Sequence, residues 1–404
     1  MTRTPDKKRI AIFSRYQLGE QFDLAAEFRP MLETLVREHE VIHVSFRNDR
    51  PPASIPTGLV LEEIPLRVDR NRPRDVIIKS LLMYAMLPLA AWKIRRHKVD
   101  MIFVSEILPL VGLFLKWTCR CHVGTAYGDW HVHNFLGRKW WIKPFLAFAE
   151  FLERFEARRL EGMFCRATAA RDRLAAWGVH PSNIRVVFDA PDLAAFFPQD
   201  QRELRASCGF SPDDVVLLYH GVMHQGKGLD DLLRWTAELH RENPSIGLIL
   251  VGSGPELPYL RDLAASCGIA DRVHFTGWLK TIHEVGHYCN AADICIAMRT
   301  GAESNVHIIP GALLHSMACR KVVLGPDLAG IREVIRHGEN GYVFTADDQA
   351  SFCTLIRELA AHRNDWSRVA ANAEADIHAR FSVEGAARQY ADAILHFATV
   401  EVGR

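Results

Sequence analysis

Hydrophobic and polar positions alternate along the first half of the chain, where short apolar runs are separated by longer amphipathic stretches. The pattern begins with an apolar run at residues 9–14, a helical period over 22–40 and a second apolar run at 41–46. Three further short apolar runs follow, at residues 99–105, 122–128 and 184–189. Strands that alternate with helices are typical of a parallel sheet with helices on its faces, so this half predicts one such domain.

A second alternating series follows a segment that has no period. Residues 189–200, DAPDLAAFFPQD, contain prolines and aspartates in an irregular order, which indicates a linker. After it, apolar runs recur at residues 215–221, 246–254, 272–277, 292–298, 321–325 and 341–345. We therefore predict two doubly wound α/β domains, residues 1–195 and 205–382, with ligands bound at the carboxyl ends of the strands in a cleft between them. The amphipathic end of the chain, within residues 383–404, should form a helix that packs back on the first domain.

The longest apolar stretch, residues 80–92, is shorter than the roughly 18 uncharged residues of a membrane-spanning helix. Lys79 and Lys93 bound it and Pro88 interrupts it, so we expect a helix that is buried or lies at an interface. The apolar run near the N-terminus is too short for a secretory signal and is better explained as a first strand.

Composition narrows the class of protein further. The chain has 404 residues, of which 49% are hydrophobic, and this supports two full cores. A formal net charge of +1 argues against a nucleic-acid-binding protein. Nine cysteines are scattered without the paired spacing of metal sites, which suggests reduced thiols and a cytoplasmic protein.

Two glycine-containing turns in the second series are candidates for binding a diphosphate. The loop GVMHQGKGLDDLL follows an apolar run and opens a helix, and its glycines permit close backbone approach while Lys227 adds a positive charge. It is neither a Walker loop nor a GxGxxG motif, and a surface turn with a solvated lysine would have the same sequence. A second helix begins at Gly311 and Ala312, whose backbone N–H groups are the other candidate anchor.

The segments GVMHQGKGLDDLL, LILVGSGPELPYLRDLAASCGIADRVHFTGWL, YCNAADICIAM and LLHSMACRKVVLGPDLAGIREVIRHGENGYVF occur in this order. Together they resemble the nucleotide-sugar half of the GT-B glycosyltransferases, closest to family 4. Residues 167–198 resemble the end of that family's N-terminal domain, whereas the first 130 residues are similar only in their alternation of strands and helices. The resemblance implies a GT-B fold, in which two Rossmann-like domains face a central cleft.

The resemblance also implies roles for individual residues. Lys227 falls where the family neutralises the diphosphate of the donor, but Val222 stands where the family usually has an arginine. Two family glutamates, the first on the donor sugar and the second on the ribose hydroxyls, align with His307 and His315. The other candidate positions in the donor site, taken from the turns themselves, are Gly221, His224, Gly252, Gly311 and Ala312.

The two histidines leave several interpretations open. A neutral imidazole can still hold a hydroxyl, whereas a cationic one would favour phosphate. In a second alignment, allowed by a longer segment before the helix, Glu303 is the sugar-contacting carboxylate and Asn305 lies nearby. A metal site at His307 and His315 lacks a third ligand in sequence, and we expect neither a metal nor a cofactor. His315 as a structural histidine that faces the interior is the remaining alternative.

Acceptor-side candidates follow two strands of the first series. The stretch YGDWHVHNF contains Asp129, which suits the orientation of an acceptor hydroxyl, and His131, which suits acid–base work. A hydrogen-bonded loop without catalytic function would have the same composition. The full acceptor-side set is Gln17, Gly19, Tyr127, Asp129, His131 and His133.

Basic and aromatic residues suggest contact with an anionic membrane. Residues 137–143, GRKWWIK, combine lysines with tryptophans, and residues 93–98, KIRRHK, add further positive charge. A core helix with two buried tryptophans is the alternative for the first of these segments. Contact would place the protein at the cytoplasmic face of a membrane, near a lipid-linked acceptor.

The resemblance thus implies a retaining, metal-independent glycosyltransferase. It would move a sugar from a nucleoside-diphosphate sugar to a glycan or lipid-linked acceptor in polysaccharide or glycolipid biosynthesis. By this interpretation Lys227, Asp129, His131 and Glu303 carry the catalysis. The alternatives are a non-catalytic subunit that binds sugar nucleotide or glycan in a polysaccharide assembly complex, and a sugar-nucleotide epimerase.

Overall fold

The structure is a computed structural model that describes residues 7–14, 28–47, 55–67, 73–105, 109–127 and 143–399. The described residues form two compact units. The first comprises those up to residue 189 together with 383–399, and the second comprises 190–382.

The N-terminal unit contains a parallel sheet whose described strands are ordered β3-β2-β1-β4-β5-β6-β7. The strands are β1 (Arg9–Ser14), β2 (Glu40–Arg47), β3 (Val60–Arg67), β4 (Met101–Val104), β5 (His122–Tyr127), β6 (Gly162–Cys165) and β7 (Ile184–Val186). The helices are α1 (Phe28–Glu38), α2 (Pro73–Arg96), α3 (Val111–Cys119), α4 (Lys143–Ala157), α5 (Thr168–Ala176) and α15 (Val383–Thr399). The sheet lies between helices because its central strands are apolar on both faces.

Helix α15 completes the core of the N-terminal unit. It packs on α1 and on the central strands β4, β5 and β6. A side chain at Gly162 would place its Cβ 2.5 Å from the ring of Phe397, so the glycine leaves the space that this ring fills. Phe397 also meets the edge of Phe164 at 5.4 Å between ring centroids. Burial of these large aromatic surfaces attaches the helix to the sheet.

The C-terminal unit contains a second parallel sheet, ordered β10-β9-β8-β11-β12-β13. Its strands are β8 (Val215–His220), β9 (Ile246–Val251), β10 (Val273–Gly277), β11 (Ile294–Ile296), β12 (Val322–Pro326) and β13 (Tyr342–Phe344). Its helices are α6 (Arg202–Ser207), α7 (Leu229–Glu242), α8 (Leu257–Ser266), α9 (Ile282–Ala291), α10 (Glu303–Val306), α11 (Gly311–Ala318), α12 (Ala329–Arg332), α13 (Gln349–Ala361) and α14 (Trp366–Arg380). Strands β8 and β9 are buried along their whole length, as expected for the centre of a covered sheet.

These two sheets confirm the prediction of two doubly wound α/β domains in series. Two strands were not predicted. Strand β3 contains Glu62 and Glu63, which hide its apolar alternation, and β6 has only four residues.

The helix predicted over the apolar stretch is confirmed, because α2 runs from Pro73 to Arg96 with Pro88 inside it. Pro88 is exposed, so the backbone hydrogen bond that proline removes falls on the solvent side of the helix. Among the described helices, none combines the length and the apolar character needed to cross a membrane.

Candidate functional site

The candidate site lies at the carboxyl edge of the C-terminal sheet. Strands β8, β9, β11 and β12 are parallel, so the segments that follow them meet at one edge. These segments are residues 221–228, 252–256, 297–312 and 327–330. They carry all the donor-side residues predicted from the sequence except His315, which lies one turn into α11.

Two glycine turns fit closely against each other at this edge. A Cβ at Gly252 would lie 2.2 Å from the carbonyl oxygen of Gly221, and a Cβ at Gly254 would lie 2.2 Å from that of Met223. The backbone N–H of Met223 donates to the carbonyl of Ser253 at 2.9 Å. Contacts this short exclude any side chain, so both glycines are required for the turns to pack.

The first turn presents Lys227 beside the start of a helix. Residues Gln225–Lys227 form one turn of 3₁₀ helix, and the N–H of Lys227 donates to the carbonyl of His224 at 3.0 Å. Gly228 follows with a φ of 64° and is the N-cap of α7, a left-handed conformation that favours glycine. The lysine is half-buried and His224 is buried. A positive charge and a helix N-terminus therefore lie together on this turn.

Helix α11 begins at the same edge without a side-chain cap. Its N-cap is Pro310, whose side chain has no atom that could accept a hydrogen bond from the first N–H groups. The backbone N–H groups of Gly311 and Ala312 are therefore not taken by a capping side chain. Uncapped N–H groups at a helix start bind anions in many proteins.

His315 lies against two rings, Phe196 and His220, whose centroids are themselves 6.3 Å apart. Its ring stacks on Phe196 at 4.0 Å with an interplanar angle of 3° and on His220 at 5.4 Å with an angle of 16°. The edge of the ring runs along the first turn of α11, because Nε2 lies 3.9 Å from the Cβ position of Gly311. Nδ1 is buried without a hydrogen-bond partner among the described residues. The histidine therefore turns Nδ1 inward, while the residue as a whole is half-buried beside the start of α11.

Both imidazoles of this stack are neutral at physiological pH. Burial lowers the pKa of His220 to about 4, although a hydrogen bond with the backbone of Ala312 acts in the opposite direction. Burial, and then the neighbouring His220, lower the pKa of His315 well below its usual value. A neutral imidazole offers one donor and one acceptor, so this pair suits hydroxyls rather than phosphates.

Glu303 and His307 form a pair on the rim of the edge. Glu303 Oε1 lies 3.5 Å from Nε2 of His307, and the Glu303 side chain is 76% exposed. Asn305 lies between them in sequence but is only 2% exposed, and its amide bonds to backbone inside the unit. The structure thus brings Glu303 to the surface and turns Asn305 inward. Contact of either residue with a donor sugar stays a prediction.

The acceptor-side prediction falls mostly outside the described residues. Gln17, Gly19, Asp129, His131 and His133 all lie there. Tyr127 is the last residue of β5 and is 7% exposed, with its ring meeting the edge of Trp177 at 5.5 Å. Burial raises the pKa of its phenol, so it remains a neutral hydrogen-bonding group.

The basic segment at residues 93–98 surrounds a buried carboxylate. Lys93, Arg96 and His97 all contact Glu62, whose side chain is 7% exposed. Burial by itself would raise the pKa of Glu62, but the three hydrogen bonds lower it to about 2. Part of the positive charge that suggested a membrane contact is therefore neutralised within the unit. The other segment, residues 137–143, lies outside the described residues except for its last position.

Three residues at the candidate site were not predicted from the sequence. His220 closes the apolar run of β8, Arg299 follows that of β11, and Phe196 lies in the linker. A polar residue that ends a buried strand is a usable signal, since such ends line ligand sites in α/β sheets. Phe196 carries no such signal. Among the described residues, no group of three or more histidine, cysteine or acidic side chains is placed to hold a metal.

Comparison with known proteins finds a family match over part of the chain. Residues 214–362, which contain the whole candidate site except Phe196, match the family described as "Glycosyl transferases group 1". The putative glycosyltransferase EpsD of Bacillus subtilis is 32% identical over 40% of this chain and 40% of its own length. A D-inositol 3-phosphate glycosyltransferase of Acidothermus cellulolyticus is 30% identical over 59% of this chain and 54% of its own. The chain thus spans about half the length of the curated relatives it matches.

Solved structures resemble the chain over nearly its full length. Sucrose-phosphate synthase from Thermosynechococcus elongatus has a TM-score of 0.73 over 96% of this chain and 98% of its own, at 17% identity. HepE from Anabaena, solved with UDP and glucose, has a TM-score of 0.71 over 95% and 98%, at 18% identity. At such identities the likeness establishes the fold alone. Residues 214–362 therefore match the glycosyl transferases group 1 family, and the two Rossmann-like domains of the chain have the GT-B fold.

Proposed function

We propose that the protein is a glycosyltransferase that binds a nucleoside-diphosphate sugar at the carboxyl edge of the C-terminal sheet. The observation that carries this proposal is the combination of a family match over residues 214–362 with two anion-binding elements at one edge. These elements are the turn that carries Lys227 and the uncapped start of α11 at Gly311. Both are suited to the two phosphates of a donor.

In the proposed reaction, the main task of the site is to stabilise the leaving diphosphate. The bond between the anomeric carbon and the diphosphate breaks, a bond from that carbon to an acceptor hydroxyl oxygen forms, and the hydroxyl proton is released. The transition state has oxocarbenium character, and negative charge develops on the phosphate oxygens. Lys227 and the N–H groups of Gly311 and Ala312 supply fixed positive ends for that charge. Retention of the anomeric configuration and independence of a metal are parts of this proposal.

The neutral histidines would serve the uncharged parts of the donor. His315 lies beside the start of α11, where its imidazole can hold a ribose hydroxyl without adding charge. Glu303 and His307 on the rim are the candidates for contact with the transferred sugar. The acceptor is proposed to be a glycan or a lipid-linked sugar, bound by the N-terminal unit near Tyr127, as in polysaccharide or glycolipid biosynthesis.

We further propose peripheral contact between the N-terminal unit and an anionic membrane. Trp92 and Trp117 are 57% and 66% exposed near the C-terminal ends of the packed helices α2 and α3. The guanidinium of Arg96 lies 5.2 Å from the centre of the Trp92 ring. Exposed tryptophans are suited to the interface between lipid headgroups and acyl chains, whereas the charge of Arg96 is already paired with Glu62.

Co-sedimentation with vesicles tests the membrane contact. The wild type should sediment together with vesicles of phosphatidylcholine and phosphatidylglycerol. The double variant Trp92→Ser, Trp117→Ser should remain in the supernatant. Trp278→Ser is the matched control, because Trp278 is 53% exposed in the C-terminal unit. Equal sedimentation of the wild type and the double variant would remove this part of the proposal.

A non-catalytic subunit that binds sugar nucleotide remains the second candidate. The observation in its favour is the stack of Phe196, His315 and His220, which puts neutral rings where the resemblance expects a carboxylate. Such a protein would bind a nucleotide sugar without releasing nucleoside diphosphate from it.

A binding screen followed by a turnover assay separates these functions. Thermal shifts are measured with UDP, GDP, ADP and CDP and their common sugars on the wild type and on Lys227→Ala. A ligand at about 100 times its dissociation constant stabilises by about 2.7 kcal/mol, which moves the melting temperature clearly. Lys280→Ala is the control, because Lys280 is an exposed lysine of the same unit.

We expect one nucleotide to stabilise the wild type and Lys280→Ala but not Lys227→Ala. Release of nucleoside diphosphate from the matching sugar nucleotide, measured with lipid and glycan acceptors, then distinguishes an enzyme from a binding subunit. Conversion of the sugar nucleotide without any acceptor would instead indicate an epimerase. If no nucleotide stabilises the wild type at millimolar concentration, the proposed function is wrong.

A further inference from the structure

A buried arginine lies directly behind the turn that carries Lys227. Arg299 follows β11 at the carboxyl edge of the sheet and is only 4% exposed. Its Nη1 donates to Oδ1 of Asn305 at 3.2 Å. Asn305 is itself 2% exposed, so the interaction takes place inside the unit rather than at its surface.

The amide of Asn305 connects this arginine to the turn. Its Nδ2 lies 3.0 Å from the carbonyl oxygen of Gly226, and it is equally close to the carbonyl and the hydroxyl oxygens of Thr300. The N–H and the hydroxyl of Thr300 approach the same Gly226 carbonyl at 3.4 Å. Gly226 precedes Lys227, so three donors converge on the peptide that fixes the position of the lysine.

The chemistry of arginine sets the direction of this network. A guanidinium has only donors and stays protonated, so Oδ1 of Asn305 must face Arg299. The Nδ2 end is then turned toward the carbonyl of Gly226, where only a donor can bond. A neutral residue in place of Arg299 would not enforce this orientation of the amide.

The same arginine places a permanent positive charge beneath the turn. In the protein interior a charge acts over a longer distance than in water, because the effective dielectric constant is lower. A diphosphate above the turn carries more negative charge than a monophosphate, so it should gain more from a fixed cation below. The effect should therefore appear as a preference for diphosphate over monophosphate.

We propose that Arg299 and Asn305 form a buried clamp that positions the Lys227 turn and favours a diphosphate over a monophosphate at the donor site. Arg299 acts as a positioning residue, through Asn305 and through its charge. The inference rests on the proposed function, since it assumes that the edge binds a nucleotide. It goes beyond that function by assigning the preference for two phosphates to residues that are not on the surface of the site.

Calorimetric titration with the nucleoside diphosphate and monophosphate of the preferred base tests the clamp. In Arg299→Met, affinity for the diphosphate should fall by about tenfold or more, while affinity for the monophosphate changes by less than about threefold. Arg299→Lys keeps the charge and should recover part of the loss. Asn305→Ala keeps the arginine but frees the turn, and should weaken both nucleotides.

A matched control exists at the other end of the same strand. Arg205 is also a buried arginine of this unit and pairs with Asp293, which precedes β11. Arg205→Met should lower the melting temperature without changing the ratio of diphosphate to monophosphate affinity. The ratio thus separates the clamp from a merely structural role, which both arginines share.

The outcomes are distinguishable from a failure of the proposed function. If the wild type binds no nucleotide, the proposed function is wrong and the clamp with it. If the wild type binds and Arg299→Met keeps the wild-type ratio, the clamp alone is overturned. Should Arg299→Met not fold, wild-type affinities in both Arg299→Lys and Asn305→Ala would overturn the clamp equally.

Discussion

His43 provides a test of how burial alters the acid stability of the N-terminal unit. It lies within β2, is fully buried, and meets the edge of the Phe28 ring at 6.2 Å between centroids. Neither ring nitrogen has a hydrogen-bond partner among the described residues. Burial lowers its pKa to about 4, so it is neutral in the folded protein at physiological pH.

The difference in pKa between the folded and unfolded states sets the size of the effect. Between about pH 6.5 and pH 4 the unfolded chain binds a proton at His43 and the folded chain does not. The free energy of unfolding therefore falls as the pH falls through this window. The gap from 6.5 to about 4 corresponds to about 3 kcal/mol in total. About 2 kcal/mol of this is lost between about pH 7.5 and pH 5.

The variant His43→Leu removes this dependence, and denaturant unfolding at several pH values measures it. At about pH 7.5 the variant should be at least as stable as the wild type, because an unpaired buried polar group costs about 1–3 kcal/mol. At about pH 5 its advantage should grow by about 2 kcal/mol. Hydrogen exchange of peptides from β1 and β2 assigns the transition to the N-terminal unit.

The comparison must use the difference between wild type and variant, because Glu156 in the same unit acts in the opposite direction. Burial raises the pKa of Glu156 to about 7. His180→Leu is the control, since His180 is exposed in the same unit. Parallel pH profiles for the wild type and His43→Leu would refute the assignment of the acid loss to His43.

Three further outcomes are expected. Gly254→Ala should lower the free energy of unfolding by about 2 kcal/mol or more, because its Cβ would lie 2.2 Å from the carbonyl of Met223. At Gly268 an added Cβ would have no neighbour within 4 Å. Gly268→Ala should therefore lower the free energy of unfolding, in the same denaturant assay, only by the roughly 1–2 kcal/mol that a positive φ costs alanine. Between pH 4.5 and about 7 the folded wild type binds more protons at Glu156 than the unfolded chain, so its free energy of unfolding should fall as the pH rises. Glu156→Gln should abolish this fall, and an unchanged pH profile would contradict the assignment. His315→Phe should keep the ring contacts and lower the affinity for a ribonucleotide about fivefold in calorimetry, but leave the affinity for its dideoxy analogue unchanged. Equal losses of affinity for both nucleotides would exclude a bond to ribose.

The strands that were predicted correctly are those whose positions follow from the hydrophobic pattern of their own residues. The runs that became β8 and β9 are continuous apolar segments bounded by polar ones, and burial on both faces requires that pattern. Strand β3 was missed because Glu62 is buried among basic side chains that lie more than thirty residues away. No local pattern reports that such a partner exists.

The residues of the candidate site likewise divide into those that the sequence predicts and those that it does not. The turn at Lys227 and the start of α11 were predicted, because glycines and proline determine those conformations locally. The stack on Phe196 and the bond from Asn305 to Gly226 join residues that are distant in sequence. Such contacts depend on how strands and loops meet in the folded unit, so composition and spacing do not predict them.

The position of α15 in the N-terminal unit determines the order in which the ribosome can complete the two units. Residues 190–382 contain all the described strands of their sheet and can fold as soon as they have emerged. The earlier unit must wait for α15, whose Phe397 occupies the space above Gly162. Until then the nascent chain exposes one apolar face of a largely formed sheet. The unit that is translated first is thus the last to be finished.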